Sequence, residues 1–464
     1  MTAIQEKQQA ADQAINILGK FIADTPNDHV DKALARSRRA FLDTIGCMFL
    51  GSKHEVTQTA FNTVSEWGMG DRLVVGTDRR LAAPWAALVN GTSAHSLDYD
   101  DWDNPGLTHT SAILVPAILA SASLDASGLD LFDAHIIGVE IILRIGEVVN
   151  MSHYERGWHA TNTVGAIGAA AACARILRLD GEASANALSL ATSMAGGYTT
   201  QFGTSAKPLH AGFAAKSGIL ASFLAQNGAT GQRSALDGKV SFATLMSDAC
   251  GKDFEKSLPK LGNPWGILEY GLYTKLYPSC GCTHLAIEAA EQLQAKHNII
   301  PDAIESVLVT TSDIAIEVLP YDVPKIAREA LFSLPWCVAV GLRDGKVGVD
   351  SFSDQAILRS EVSSLAARVS VEKHPRNGGD VFHQDFPDCV TVTLKSGETY
   401  HEEVAYPRGA PERPASDLDV ERKFLDCAER CISEKQAFDI LDFFRLPPSS
   451  WSHQQLSELL ETSS

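Results

Sequence analysis

The sequence predicts a mainly α protein: a large all-helical domain over residues 1–267 plus 410–464, with a smaller α+β lid domain over residues 268–409. Three observations carry this expectation. From about residue 5 to 265, apolar residues recur at helical spacing and no stretch alternates convincingly as a strand. The same segments are dense in alanine and glycine, which implies helices packed with their backbones close together. Past about residue 265 the texture changes, and two runs show the period-two alternation of half-buried strands. A length of 464 residues also exceeds what one ordinary core organises.

Taken in order, "VDKALARSRRAFLDTIGCMFLG" sets Val30, Leu34, Phe41, Leu42, Ile45 and Met48 at helical spacing and stops at Gly51. "SAILVPAILASASLDASG", "ATNTVGAIGAAAACARILRLDG" and "HAGFAAKSGILASFLAQNGATG" each read as a helix closing on a glycine-containing turn. The greasiest run, "IIGVEIILRIGEVV", carries Glu140, Arg144 and Glu147, so it reads as a buried helix and not a membrane span. "AIESVLVTTSD" reads as a strand, and "DCVTVTLKSGETYHEEVAY" as a hairpin turning at Ser396-Gly397. Between them, "REALFSLPWCVAVGLRDGKV" and "DQAILRSEVSSLAARV" read as helices. After "PRGAPERP" come polar helices expected to pack back on the first domain.

Composition narrows the function. Hydrophobic residues make up 45% and charged residues 21%, the proportions of a soluble globular enzyme. The N-terminal "MTAIQEKQQAADQA" lacks a signal peptide's apolar segment. Nine cysteines, scattered singly except for Cys280/Cys282, suggest reduced thiols and a cytoplasmic setting. A net charge of −18 argues against a nucleic-acid partner. An anionic substrate would then need positive charge concentrated at its site.

Four stretches could carry chemistry. "HSLDYDDWDNPGLTHTS" packs four aspartates and two histidines around an Asn-Pro-Gly turn. It fails as an EF-hand, because Asp103 stands where glycine is needed and His109 where the twelfth-position glutamate belongs. "DDWDN" departs from a DDxxD magnesium motif at Asn104, so a prenyl-diphosphate enzyme is the weaker alternative. Asp103 reads as a turn residue, while His109 precedes an apolar helix start. "ERGWHATNTVGAIG" sets His159 at the mouth of another helix, and "GTSAKPLHAGFAAKSG" sets Lys207 and His210 before a third. The proline after Lys207 places that lysine in a tight, partly buried loop, and residues 54–206 hold no other lysine. In "YTKLYPSCGCTH", Cys280, Cys282 and His284 lack the four ligands and spacing of a structural zinc site. Cys280 would be acidified by the helix that follows, and Lys275 could bind an anion. Each time, a His, Lys or Cys precedes a helix N-terminus, where anions are held. Converging such turns on one pocket makes a cationic cup for a carboxylate-bearing molecule.

Together with "FSLPWCVAVGLRDGKVG" and "VTVTLKSGETY…PRGAPERP", these stretches resemble the MmgE/PrpD family, in order and across nearly the whole chain. That family includes 2-methylcitrate dehydratases, cis-aconitate decarboxylases and iminodisuccinate epimerases. The resemblance implies a homodimer with a site between the two domains, no metal or organic cofactor, and a small polycarboxylate substrate. It implies Asp98, His109, His159 and Lys207 as catalytic residues, with Lys275, Cys280, His210 and Trp336 binding substrate. Asp98 would orient a histidine. Two departures stand out: some members have histidine at position 280, and tyrosine is frequent where Trp336 stands. They leave room for a carboxylate-binding protein without turnover. The expected function is therefore a lyase, dehydratase or decarboxylase, or an epimerase, working by acid–base chemistry beside a carboxylate.

Overall fold

The computed structural model describes residues 13–374 and 387–462. The polar N-terminal stretch up to residue 12 lies outside the described residues, as does part of the span assigned to the lid. Fourteen helices of eight residues or more are described. They are α1 (Ala14–Asp24), α2 (Asp31–Gly51), α3 (Glu55–Val64), α4 (Ala83–His95), α5 (Thr110–Ser121), α6 (Gly128–Val149), α7 (Ala160–Ile176), α8 (Gly181–Thr192) and α9 (Ala206–Gln226), then α10 (His284–His297), α11 (Leu334–Asp344), α12 (Asp417–Ala428), α13 (Glu434–Arg445) and α14 (His453–Leu460). The chain is mainly α, with small sheets only.

Helix α9 packs against both α4 and α7, and α7 in turn packs against α5 and α6. Small residues make these approaches possible. A Cβ added at Gly218 of α9 would lie 2.4 Å from the Ala169 Cβ and 2.5 Å from its carbonyl carbon on α7. Gly218→Ala must therefore push two helices apart, and should cost about 1–3 kcal/mol, read as a lowered urea midpoint. An unchanged midpoint would show that the α7–α9 crossing has room for a methyl group. Helix α6 is buried along its length and keeps its charges by pairing them: Arg144 Nε donates to Glu140 Oε1 (2.8 Å).

A second apolar cluster gathers α10, α11 and a four-stranded sheet. Numbering after β1 (Met69–Leu73) and β2 (Arg80–Leu81) of the helical region, its strands are β3 (Ile304–Thr311), β4 (Val369–Lys373), β5 (Asp388–Leu394) and β6 (Thr399–Val404), in the order β4-β3-β5-β6. β3 pairs parallel with β4 (Val309 opposite Val371) and antiparallel with β5 (Val309 opposite Val390). The β5–β6 hairpin turns where expected, with Gly397 at φ +87°. The C-terminal helices return to the first group: α12 packs on α2, and Phe424 joins its apolar cluster.

Several local expectations need correction. The region read as helix only contains a two-stranded antiparallel ribbon, Met69–Leu73 with Arg80–Leu81. It is too short and exposed to show alternation, and is pinned by Asn90, which accepts from Val75 N and donates to Leu73 O. Residues 369–373, at and beyond the end of a run read as helix, form β4. Of the glycines expected to close helices, only Gly228 has a left-handed φ; Gly128 and Gly181 each begin the next helix. Lys207 is not in a loop. It lies in the first turn of α9, where backbone N–H groups have no intrahelical acceptor and a following proline sacrifices nothing.

Candidate active site

The groups singled out by their position before helices do come together. His109 is the N-cap of α5, His159 the N-cap of α7, Lys207 sits in the first turn of α9, and Cys280 precedes the short helical turn leading into α10. All four line one cavity of about 60 Å³, with Lys275, Trp102, Tyr154, Phe202, Cys282 and Ile314. A larger groove of about 920 Å³ is lined by Arg72, Arg175 and Arg178. Two of its arginines are already committed, Arg175 to Asp133 and Arg72 to Ala122 O, while Arg178 is exposed and reaches Asp130 only at 3.4 Å. The smaller cavity is the one that concentrates acid–base groups.

Asp98 is its electrostatic centre. Its backbone is left-handed (φ +51°), a conformation aspartate tolerates better than most residues. Its Oδ1 accepts from Lys275 Nζ (2.7 Å) and Lys207 Nζ (3.0 Å), and its carbonyl accepts from Lys275 Nζ as well (2.8 Å). Burial pushes the Asp98 carboxyl up, but the two ammonium groups overcome it and hold the group well below the usual range. Lys207 and Lys275 are themselves only 4% and 1% exposed. Their charge is thus spent inward, and the aromatic rings of Phe202 and Phe332 face the Lys207 ammonium at 5.2 and 5.1 Å.

The histidine-orienting carboxylate is Asp100, not Asp98. His95 Nδ1 donates to Asp100 Oδ1 (2.9 Å), and His109 Nδ1 lies 3.0 Å from Asp100 Oδ2. With Nδ1–H on Asp100, His95 Nε2 accepts from Lys207 Nζ at 3.0 Å. Asp98 stands farther from both rings, 3.5 Å from His109 Nε2 and 3.9 Å from His95 Nδ1. Neither His95 nor Asp100 was singled out from sequence. Their signal was there, since His95 opens the same stretch and Asp100 lies between it and His109.

The remaining aspartates serve the scaffold. Asp101 accepts from Ser111 N (2.9 Å) and Ser111 Oγ, capping α5 from a distance. Asp103 accepts from Gly106 N, Thr108 Oγ1 and Thr110 Oγ1, so it holds the Asn-Pro-Gly turn as expected, though buried and not solvated. "DDWDN" therefore points its carboxylates at three different tasks. Ligating atoms of His95, Asp98, Asp100 and His109 do gather within 4.8 Å. The Lys207 ammonium sits among them, 3.0 Å from Asp98 Oδ1 and His95 Nε2 and 3.5 Å from His109 Nε2, where a metal ion would have to go. These residues fit an ammonium better than a metal.

The expected cationic cup is instead balanced, because Asp98 and Asp100 offset Lys207 and Lys275. Burial first, then His95 and Lys207, hold the His109 imidazole down to about 3. Burial likewise holds His135 and His284 at about 3. Unfolded histidine titrates near 6.5, so below that pH the unfolded chain takes up protons that these folded imidazoles refuse. Their contribution to stability is complete above about 6.5 and is lost as pH falls toward about 3. In NMR, their Cε1–H resonances should stay in the neutral position from about pH 7.5 down to about 5. Titration of all three near 6.5 would mean that water reaches them.

Three expected site residues stand elsewhere or act differently. Trp336 is fully buried in the second apolar cluster, its Nε1 donating to Ser351 O (3.2 Å), and does not line the cavity. His210 is not on the lining either; it sits behind His159, Nδ1 to Nδ1 at 2.8 Å. Cys280 does line the cavity and its thiol is lowered, but the main cause is a hydrogen bond from the Cys282 thiol, with burial opposing.

A helical scaffold with a small α+β unit, and a cavity of lysines and histidines at helix N-termini, define the class. The chain belongs to the MmgE/PrpD family: it matches the MmgE/PrpD N-terminal domain over residues 16–255 and the MmgE/PrpD C-terminal domain over residues 277–443. It is 30% identical to cis-aconitate decarboxylase of Homo sapiens over 419 residues, covering 87% of this chain and 85% of that protein. Identity to the Mus musculus enzyme of the same name is 32%, covering 88% and 84%. Identity to the cis-aconitate decarboxylase of Aspergillus terreus is 26%, covering 90% and 89%. These relationships support a lyase; they lend nothing to the epimerase reading. No described helix is long and apolar enough to cross a membrane.

Proposed function

We propose that this chain is a lyase that decarboxylates a small unsaturated tricarboxylate of the cis-aconitate type. The observation that carries the reading is the convergence of Lys207, Lys275, His109 and His159 on one cavity, in a chain aligned along most of its length with relatives of that name. Loss of carbon dioxide breaks a C–C bond and leaves its electron pair on carbon. In an unsaturated tricarboxylate that pair spreads through the alkene onto a neighbouring carboxylate. Lys207 and Lys275 are the groups placed to stabilise this charge, and one oriented donor of that kind is worth about 3 kcal/mol. An imidazolium then protonates the carbon.

The balanced charge of the site has a consequence for binding. A polyanion entering beside the neutral His109 and His159 raises their affinity for protons. Binding should therefore take up proton from solution, detectable by calorimetry as a heat that depends on the buffer's ionisation enthalpy. Identical heats in phosphate and Tris would argue that the histidines stay neutral in the complex.

The direct test is proton NMR in D₂O with chelator present, using cis-aconitate beside citrate, 2-methylcitrate and iminodisuccinate. The expected result is loss of one carboxylate from cis-aconitate, with one deuterium placed on carbon and turnover indifferent to chelator. Water loss from a hydroxy acid would make the chain a dehydratase instead. Silence across the panel with intact binding would favour a carboxylate-binding protein.

A further inference from the structure

His159 and His109 both line the cavity, yet the groups behind them differ in charge. Behind His109 stands the Asp100 carboxylate, 3.0 Å from its Nδ1. Behind His159 stands another imidazole, His210, with Nδ1 to Nδ1 at 2.8 Å. Two imidazole nitrogens at that distance share a single hydrogen, since two N–H groups would collide and two lone pairs would repel. His210 lies one helical turn beyond Lys207 on α9 and is only 5% exposed. Its far edge rests on Gly197, which has φ +102° and where a Cβ would come within 2.9 Å of His210 Nε2. The ring is thus held from both sides.

We propose that His210 is a positioning residue: it accepts the Nδ1 hydrogen of His159, turns His159 Nε2 toward the cavity, and makes His159 the proton donor of the site. This rests on the decarboxylase reading above. A carboxylate behind an imidazole stabilises the imidazolium and favours a base. A neutral imidazole gives no such charge stabilisation, so His159, once protonated, is the stronger acid. Lys207, His95 and His109 also face His159 and push in the same direction. In the reaction, the C–C bond to the departing carboxylate breaks, and the electron pair left on carbon takes the proton from His159 Nε2. His159 is left neutral, with Nδ1–H still on His210, and takes its next proton from solvent. One proton is consumed for each carbon dioxide released.

The test compares two replacements in the full chain. His210→Phe keeps a ring but no acceptor, whereas His210→Asn places an amide at the depth of Nδ1. With cis-aconitate as the substrate, His210→Phe should lower kcat about a hundredfold with KM within about threefold, and His210→Asn should recover to within about tenfold of the parent. A His210→Phe variant within about threefold of the parent, or His210→Asn as slow as His210→Phe, would overturn the proposal. A second readout does not need turnover. In ¹⁵N-histidine NMR of the ligand-free protein, with His159 assigned through His159→Gln, His159 should be a single tautomer protonated at Nδ1, and this should be lost in His210→Phe. Unchanged His159 shifts in His210→Phe would sink the assignment. If the parent leaves cis-aconitate untouched, the decarboxylase reading fails, while the tautomer experiment still decides the role of His210; should His210→Phe not fold, the same comparison is read on His210→Asn, whose amide should keep His159 protonated at Nδ1, and a mixed or Nε2-protonated His159 there overturns the proposal.

Discussion

Alanine in place of Asp98 is expected to destabilise the fold by about 3–5 kcal/mol, because it strands two buried ammonium groups on one missing carboxylate. Lys275 makes both of its described hydrogen bonds to Asp98, through Oδ1 and the backbone carbonyl, and Lys207 makes one of its own there. Alanine would also inherit a left-handed backbone, which costs a residue with a plain Cβ about 1–2 kcal/mol. Asp98→Asn keeps the shape and tolerates that backbone, so it should lose less stability while still removing the charge. Chemical denaturation of the two variants side by side separates the contributions. A loss below about 1 kcal/mol in Asp98→Ala would mean that the lysines find water, contrary to their burial.

Lys207→Met should be the most damaging change to turnover that leaves the fold standing. The methionine keeps an apolar stem against Phe202 and Phe332, and Asp98 retains Lys275. What is lost is the ammonium that bonds His95 Nε2 and Asp98 and approaches His109 Nε2, and so ties the Asp98 pair to the Asp100 pair. A fall in kcat/KM of about a hundredfold to a thousandfold is expected, the usual result of removing one oriented donor from a charge-stabilising site. Near-normal turnover with an unchanged melting temperature would move the charge-stabilising role onto Lys275 alone.

The site was partly legible because its residues are spaced by helix starts. His109, His159, Lys207 and Cys280 each announce themselves as polar groups before small or apolar helical runs, and helix N-termini converge naturally on a shared cavity. Partner assignments were not legible in the same way. Asp98 and Asp100 are two residues apart, and nothing local states which one faces the lysines and which the histidines. The left-handed turn at Asp98 decides it. Phe202 and Ile314 line the cavity from segments far apart in sequence, with no motif to mark them. Trp336 shows the opposite failure: a prominent residue in a matched motif, buried in the second apolar cluster and off the cavity lining.

By itself, then, the sequence determined the mainly α architecture, the β3 strand and β5–β6 hairpin, the family, and the set of titratable groups at helix N-termini. These follow from periodicity, turn chemistry and residue type, which are local properties of the chain. Only the tertiary structure decided the pairings: Lys207 and Lys275 on Asp98, His95 and His109 on Asp100, and His210 behind His159. Those depend on ångström-scale placement of groups brought together from four separate segments. Protonation and charge balance inside a buried site are set by such distances, so no reading of spacing along the chain could have supplied them.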